Sequence, residues 1–337
     1  MNITLPGDLR SALTHLMLIG IASILEDGGV AHVTIRWDDG VAAQPTVGGE
    51  VDSTHALAGV LLDHAERHSK PDSWVQATFS HMGVETGTMS PRIKTPATPV
   101  DWENLYEARR VILNGPLTPL DTMMIAALGQ PAYWRLAPKP EPDQGASRWE
   151  MKTRNQGQEF VKDRLATLAA AVAARPIEKI AAAIEGRLWL DEQTKDSSAS
   201  RTSTGLTRPG PADSLIAWCA LWGLASIPLV TRTDAYAQTP GAFPRTRVAP
   251  DYMALPVPER AMTPARWRRV VSSDAFDVAA FEGLRRDASS AKIAAARGQL
   301  STWGIGNVVR FPVIKAGSTS APERQLGMGS LVPIGNE

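Results

Sequence analysis

Two apolar runs, residues 13–25 and 215–230, constrain this chain more than anything else in it. Each falls short of the roughly 20 apolar residues that a bilayer-spanning helix needs, and Pro228 interrupts the second. Asp8 precedes the first run and Glu26 and Asp27 end it, unlike the basic start and small-residue cleavage site of a secretory signal. The expectation is a cytoplasmic protein with no membrane partner. With 337 residues, 43% of them hydrophobic, the chain can bury a substantial core as one large domain or two modest ones. Cys219, the only cysteine, sits inside the second run, where a thiol serves as a small buried hydrophobe.

From Asp8, read as an N-cap, apolar residues recur at helical spacing to Leu25, and Gly28 and Gly29 end the helix. Residues 32–37 alternate as a strand, 53–68 read as a helix and 73–79 as a second strand. Helices are expected over 101–113 and 119–128. Pro138, Pro140 and Pro142 make a stiff connector. It divides an N-terminal α+β domain, residues 1–137, from a helix-rich domain with mobile loops, residues 143–337. There, an alanine-rich helix is read over 158–184 with a break at Pro176, and 191–211 reads as a polar loop, mobile or ordered by a ligand. Asp213 or Ser214 caps a helix carrying Trp218 and Trp222. Pro240, Pro244, Pro250, Pro256, Pro258 and Pro264 predict an irregular surface segment over 237–264. Helix resumes at Ala265 and runs to Leu300, broken near 272–274. A strand over 307–314 and a polar tail with flexible glycines follow. The fold class predicted is α+β, mixed helices and a small sheet, with a helix-rich C-terminal part.

Thirty-five basic residues balance 35 acidic ones, so attraction to a polyanion has to come from where charges sit. Acids dominate residues 1–70, whereas Arg232, Arg245, Arg247, Arg260, Arg266, Arg268 and Arg269 make 231–269 basic. Three loops mix cations with Ser, Thr, Asn or Gly, side chains that hold phosphates and base edges. The first carries Arg92 and Lys94. The second carries Arg148, Lys152, Arg154, Asn155 and Gln156, with amides suited to base edges. The third carries Lys195, Arg201 and Arg208. These are the candidate nucleic-acid contacts, although each alone also fits a solvated surface, and Trp149 fits the core. An aromatic content of 6% is low for base stacking and favours backbone and groove contacts.

No catalytic residue is predicted. His64 and His68 share a helical face, as metal ligands at i and i+4 do, but no third ligand accompanies them, so a solvated face is preferred and no metal or other cofactor is expected. Cys219 has no neighbouring charge to activate it. No glycine-rich phosphate loop ends in Gly-Lys-Ser or Gly-Lys-Thr.

The stretches ALTHLMLIGIASILEDGG with VTIRWDDG, MSPRIK, ASRWEMKTRNQGQEFVKDRL and SRTSTGLTRPGPADSLIAWCALWG resemble subunits of type I CRISPR interference (Cascade) complexes. The resemblance is particularly to the compact large-subunit-like Csb-family proteins of the I-G group, formerly I-U. The resemblance implies a non-catalytic subunit of a ribonucleoprotein for antiviral defence. Its partners would be other Cascade-type subunits, crRNA, target DNA and a separate helicase-nuclease. Guide pairing reads the target there, while the large subunit inspects the adjacent duplex motif. Two alternatives stay open. An RNA-processing nuclease would need a general base such as His15, His32 or His81 near a basic groove. A protein-only scaffold would join the complex through its apolar helices.

Overall fold

Two glycines decide where the most apolar helices meet. The computed structural model describes residues 1–38, 43–81, 83–92, 98–131, 144–150, 159–193, 204–208, 210–232, 236–245, 247–281, 289–316 and 323–334. The chain opens with β1 (Asn2–Thr4), α1 (Ala12–Asp27), β2 (Thr34–Trp37), β3 (Pro45–Gly48), α2 (Thr54–Ser69) and the hairpin β4 (Thr78–His81) and β5 (Val84–Gly87). Next come α3 (Pro99–Leu113) and α4 (Pro119–Leu128), then a π-helical stretch (Val161–Ala166) running into α5 (Thr167–Ala173), and α6 (Ile177–Ile184). α7 (Ser214–Gly223) ends in a tight turn (Leu224–Ser226) and leads to β6 (Ala242–Phe243) and β7 (Tyr252–Pro258). α8 (Pro264–Val271), α9 (Asp274–Ala280), α10 (Ser290–Thr302), β8 (Ile305–Ala316), β9 (Glu323–Leu326) and β10 (Ser330–Pro333) complete an α+β fold.

α1 and α7 cross at the centre. A Cβ on Gly20 would collide with the Cys219 carbonyl and one on Gly223 with the Leu16 carbonyl, so only glycine permits this backbone approach. Ser23 and Ser226 share a hydrogen bond of 3.1 Å beside the crossing. Every residue of α7 and residues 12–25 of α1 are buried, the state required of helices that are apolar on all sides. α2, α5 and α6 pack around the pair. Among the described residues no helix is long and apolar enough to cross a membrane. α1 comes from the stretch expected as the first domain and α7 from the second, yet both belong to one apolar core.

Among the described residues, two larger antiparallel sheets accompany the β4-β5 hairpin, one ordered β1-β3-β2 and the other β10-β8-β7-β6 with β9 also on β8. The link between them is a backbone bridge in which Ile35 N–H donates to Met262 O at 2.8 Å and Met262 N–H to Ile35 O at 3.0 Å. It holds the loop after β7 beside β2.

Several expectations change. α1 starts after Ser11, because Asp8 caps a turn by accepting from Arg10 N–H at 2.8 Å. Ser73 and Trp74 lie in turns rather than a strand, since their side chains reach His68 at 3.0 Å and Asp121 at 3.0 Å. The proline-rich segment holds β7, paired along its whole length with β8. Pro256 and Pro258 are tolerated because β6 pairs only with Tyr252 and Met253, which leaves the far half of β7 at a sheet edge where a missing N–H costs nothing. The tail beyond residue 314 includes β9 and β10, which pair with β8.

Candidate nucleic-acid interface

Strand alternation builds the site. In the β1-β3-β2 sheet, Ile3, Val47, Ile35 and Trp37 face the core and are buried. The opposite parity is polar: Asn2 pairs with Gly48 and Gly48 with Thr34, while Thr4 pairs with Thr46 and Thr46 with Arg36. Gly48 has no side chain, and a Cβ there would fall 2.6 Å from Asn2 Oδ1 and 2.7 Å from Thr34 Oγ1. The glycine therefore opens a floor on which both polar groups converge. Thr46 is only 3% exposed, and its hydroxyl has no hydrogen-bond partner, a state that costs roughly 1–3 kcal/mol when nothing fills it. The loop after β7 walls this floor with Glu259 and Arg260, enclosing a cleft of about 370 Å³.

Arg36 lies 3.3 Å from Asp38, with both side chains substantially exposed. Arg260 is exposed: its backbone N–H meets Gly304 O at 3.5 Å, and its guanidinium engages no hydrogen-bond or ion-pair partner among the described residues. Glu259 accepts from Asn307 Nδ2 at 3.2 Å. On α8, Trp267, Val270 and Val271 face inward and leave Arg266 and Arg269 exposed, while Arg268 turns to within 3.8 Å of Glu26.

The residues singled out from sequence fare differently. The Arg92 side chain is largely covered: its guanidinium donates to Glu150 O at 2.8 Å and Ser147 O at 2.9 Å, and its Nε lies 2.9 Å from the Glu150 carboxylate. Arg148 is buried, donating to Ala146 O at 2.9 Å and Ala237 O at 3.4 Å. Neither presents its guanidinium to solvent, contrary to the expectation of open cationic loops. The 144–150 segment is irregular and buried, so its carbonyls require donors, and a five-donor guanidinium supplies several at once. Trp149 is in the core with its indole N–H on Pro240 O at 2.9 Å. Arg208 is exposed. Lys94, Lys152, Arg154, Asn155, Gln156, Lys195 and Arg201 lie outside the described residues.

The histidine pair expected on a solvated face is interior. His64 and His68 are enclosed by Trp218 and Trp222, with ring centroids of His64 and Trp222 at 4.6 Å and of His68 and Trp222 at 4.7 Å. Burial drives the His64 pKa well below its ordinary value and that of His68 down against the pull of Asp121. Burial pushes Asp121 up, but hydrogen bonds from His68, the Trp74 indole and the Thr118 N–H outweigh it and hold the carboxyl well below the usual carboxylate range. His68 Nδ1 lies 3.0 Å from Ser73 Oγ and its Nε2 3.3 Å from Asp121 Oδ1, the connectivity of a nucleophilic relay. Two features favour a structural tie between α2 and α4. Ser73 Oγ also accepts from Val75 N–H at 3.2 Å, and Arg67 Nη2 sits 3.1 Å from His68 Nε2.

The other histidines are dispersed. His15 is buried, bonded to Leu9 O at 2.8 Å, and desolvation lowers its pKa to about 4. His32 is exposed, 3.4 Å from Glu50, and His81 lies 3.8 Å from Asp101. Burial pushes the Cys219 thiol up. Comparison with protein-family models, with curated proteins and with solved structures returns no match for this chain.

Proposed function

We propose that this chain is a non-catalytic nucleic-acid-binding subunit of a crRNA-guided CRISPR interference complex. In this role it works beside other protein subunits and a separate helicase-nuclease and contributes to recognition of target DNA or its adjacent motif. One observation carries the nucleic-acid part. Arg36 and Arg260 stand exposed at the rim of a polar sheet face whose Thr46 hydroxyl is buried without a partner, and Arg266 and Arg269 are exposed on the helix that follows. Cations with hydrogen-bond donors in reserve suit a phosphate backbone. The resemblance of five sequence stretches to Cascade subunits supplies the biological system.

A protein-only scaffold is the second reading, and α3 favours it by exposing Val100, Tyr106, Val111 and Leu113. Purification from native cells, with sequencing of bound RNA and mass spectrometry of bound proteins, tests both. Guide RNA and companion Cascade subunits are expected. A nucleic-acid-free monomer overturns the proposal, and a complex whose RNA never photocrosslinks to this chain puts the scaffold in its place. Replacing Lys152 and Arg154 together with alanine is expected to weaken target binding and flatten its salt dependence by about one to two units of slope.

A further inference from the structure

The cleft on the outer face of the β1-β3-β2 sheet contains more than a cationic rim. We propose that it is a subsite for one ribose-phosphate unit of an RNA strand, with Arg36, Arg260 and Thr46 on the phosphodiester and Glu259 on the 2′-hydroxyl. The proposal rests on the reading above that the ligand is nucleic acid, and it names which kind and where.

Three features point to this ligand. First, Thr46 lines the cleft, and its hydroxyl is buried and finds no partner among the described residues. Its cross-strand neighbours are Arg36 on one side and Thr4 on the other, so it sits at the centre of the polar face rather than at an edge. Buried hydroxyls are almost always satisfied, and a ligand oxygen in the cleft would satisfy this one.

Second, the charge in the cleft is graded. Among the described lining residues, Arg36 and Arg260 oppose the one carboxylate of Glu259, which leaves about one positive charge for one phosphodiester. Asp38 tempers Arg36 from outside the cleft lining, in an exposed pair at 3.3 Å that is easily exchanged.

Third, a carboxylate is a poor neighbour for a bare anion but a good acceptor for a hydroxyl. Glu259 accepts from Asn307 Nδ2 through Oε1, and no hydrogen bond among the described residues engages its Oε2. A 2′-hydroxyl is a donor that RNA has and DNA lacks. Asn2 and Thr34, converging over Gly48, add an amide and a hydroxyl for the adjoining phosphate oxygen or sugar.

The test is fluorescence anisotropy of the full chain with a short labelled single-stranded RNA of mixed sequence, and with DNA of the same sequence, over a range of salt. The wild-type chain is expected to prefer RNA. Arg260→Ala is expected to lower RNA affinity about tenfold and the salt slope by about 0.7, and Thr46→Val to lower affinity roughly three- to tenfold. Glu259→Ala is expected to erase the preference for RNA over DNA while leaving DNA binding no weaker. Far-ultraviolet circular dichroism and thermal melting establish that each variant is folded. Arg260→Ala and Thr46→Val that bind like wild type overturn the subsite and leave the nucleic-acid reading standing. Equal wild-type affinity for RNA and DNA overturns the role of Glu259. Displacement of the RNA by inorganic phosphate alone identifies a free-anion site and overturns the proposal. A wild-type chain that binds neither strand overturns the nucleic-acid reading itself.

Discussion

Arg92 and Arg260 are the same residue type in opposite circumstances. Arg92 spends its guanidinium on two backbone carbonyls and a carboxylate inside the protein. Arg260 holds its guanidinium in the open beside a cleft. The difference lies in the backbone each one accompanies. Residues 144–150 are buried without regular pairing, so their carbonyls demand donors, and Arg92 and Arg148 provide them. Arg260 stands on the exposed loop after β7, beside the β1-β3-β2 sheet, whose backbone is satisfied by its own ladder and asks nothing of the guanidinium. Irregular interior backbone consumes cations; paired backbone releases them.

The largest effect expected from this contrast is on stability. Arg92→Ala strips the buried Glu150 carboxylate, 2% exposed, of its guanidinium and is expected to cost roughly 3–5 kcal/mol, read as a lowered urea midpoint at unchanged slope. An unchanged midpoint would place Arg92 with the available cations. A second measurement follows stability against pH. His15 and His64 have folded pKa values below their ordinary value, so beneath about pH 6.5 the unfolded chain holds more protons and stability falls as pH drops. The slope approaches about 1.4 kcal/mol per pH unit for each histidine, and for His15 it flattens below about pH 4. His64→Phe is expected to remove its share of that slope. The smallest effects belong to the cleft. Arg260→Ala is expected to shift stability by no more than about 0.5 kcal/mol, and Thr46→Val to raise it by about 1 kcal/mol, because the buried hydroxyl it removes has no partner in the free protein. A loss of stability for Thr46→Val would mean that its hydroxyl has an internal role.

Periodic apolar spacing made most helices readable from sequence, including the break at Pro176 and the Asp213 cap, whose carboxylate accepts from Leu215 and Ile216 N–H at 2.9 and 3.2 Å. β7 was hidden because Pro256 and Pro258 argue against a strand until the shortness of β6 is known. The fate of Arg92 was hidden for a related reason: whether a loop is buried is a tertiary fact, and a cation in a polar stretch looks solvated until its carbonyl partners appear. The cleft was partly legible. Asn2-Ile3-Thr4, Thr34-Ile35-Arg36 and Thr46-Val47-Gly48 each put polar or small residues on one parity, the signal that could have marked an open sheet face. What no local pattern provides is Arg260, brought to β2 by the Ile35–Met262 bridge across more than 200 residues.

The crossing of α1 on α7 also sets an order of events during synthesis. α1 leaves the ribosome with every face apolar, and its counterpart follows roughly 190 residues later, a wait of about ten to forty seconds at ordinary elongation speeds. Through that interval β2, β3, α2 and α4 can cover parts of α1, while the surface around Gly20 waits for α7. The two glycine notches, one on each helix, therefore meet only when translation delivers α7, and the central crossing is among the later parts of the core to close.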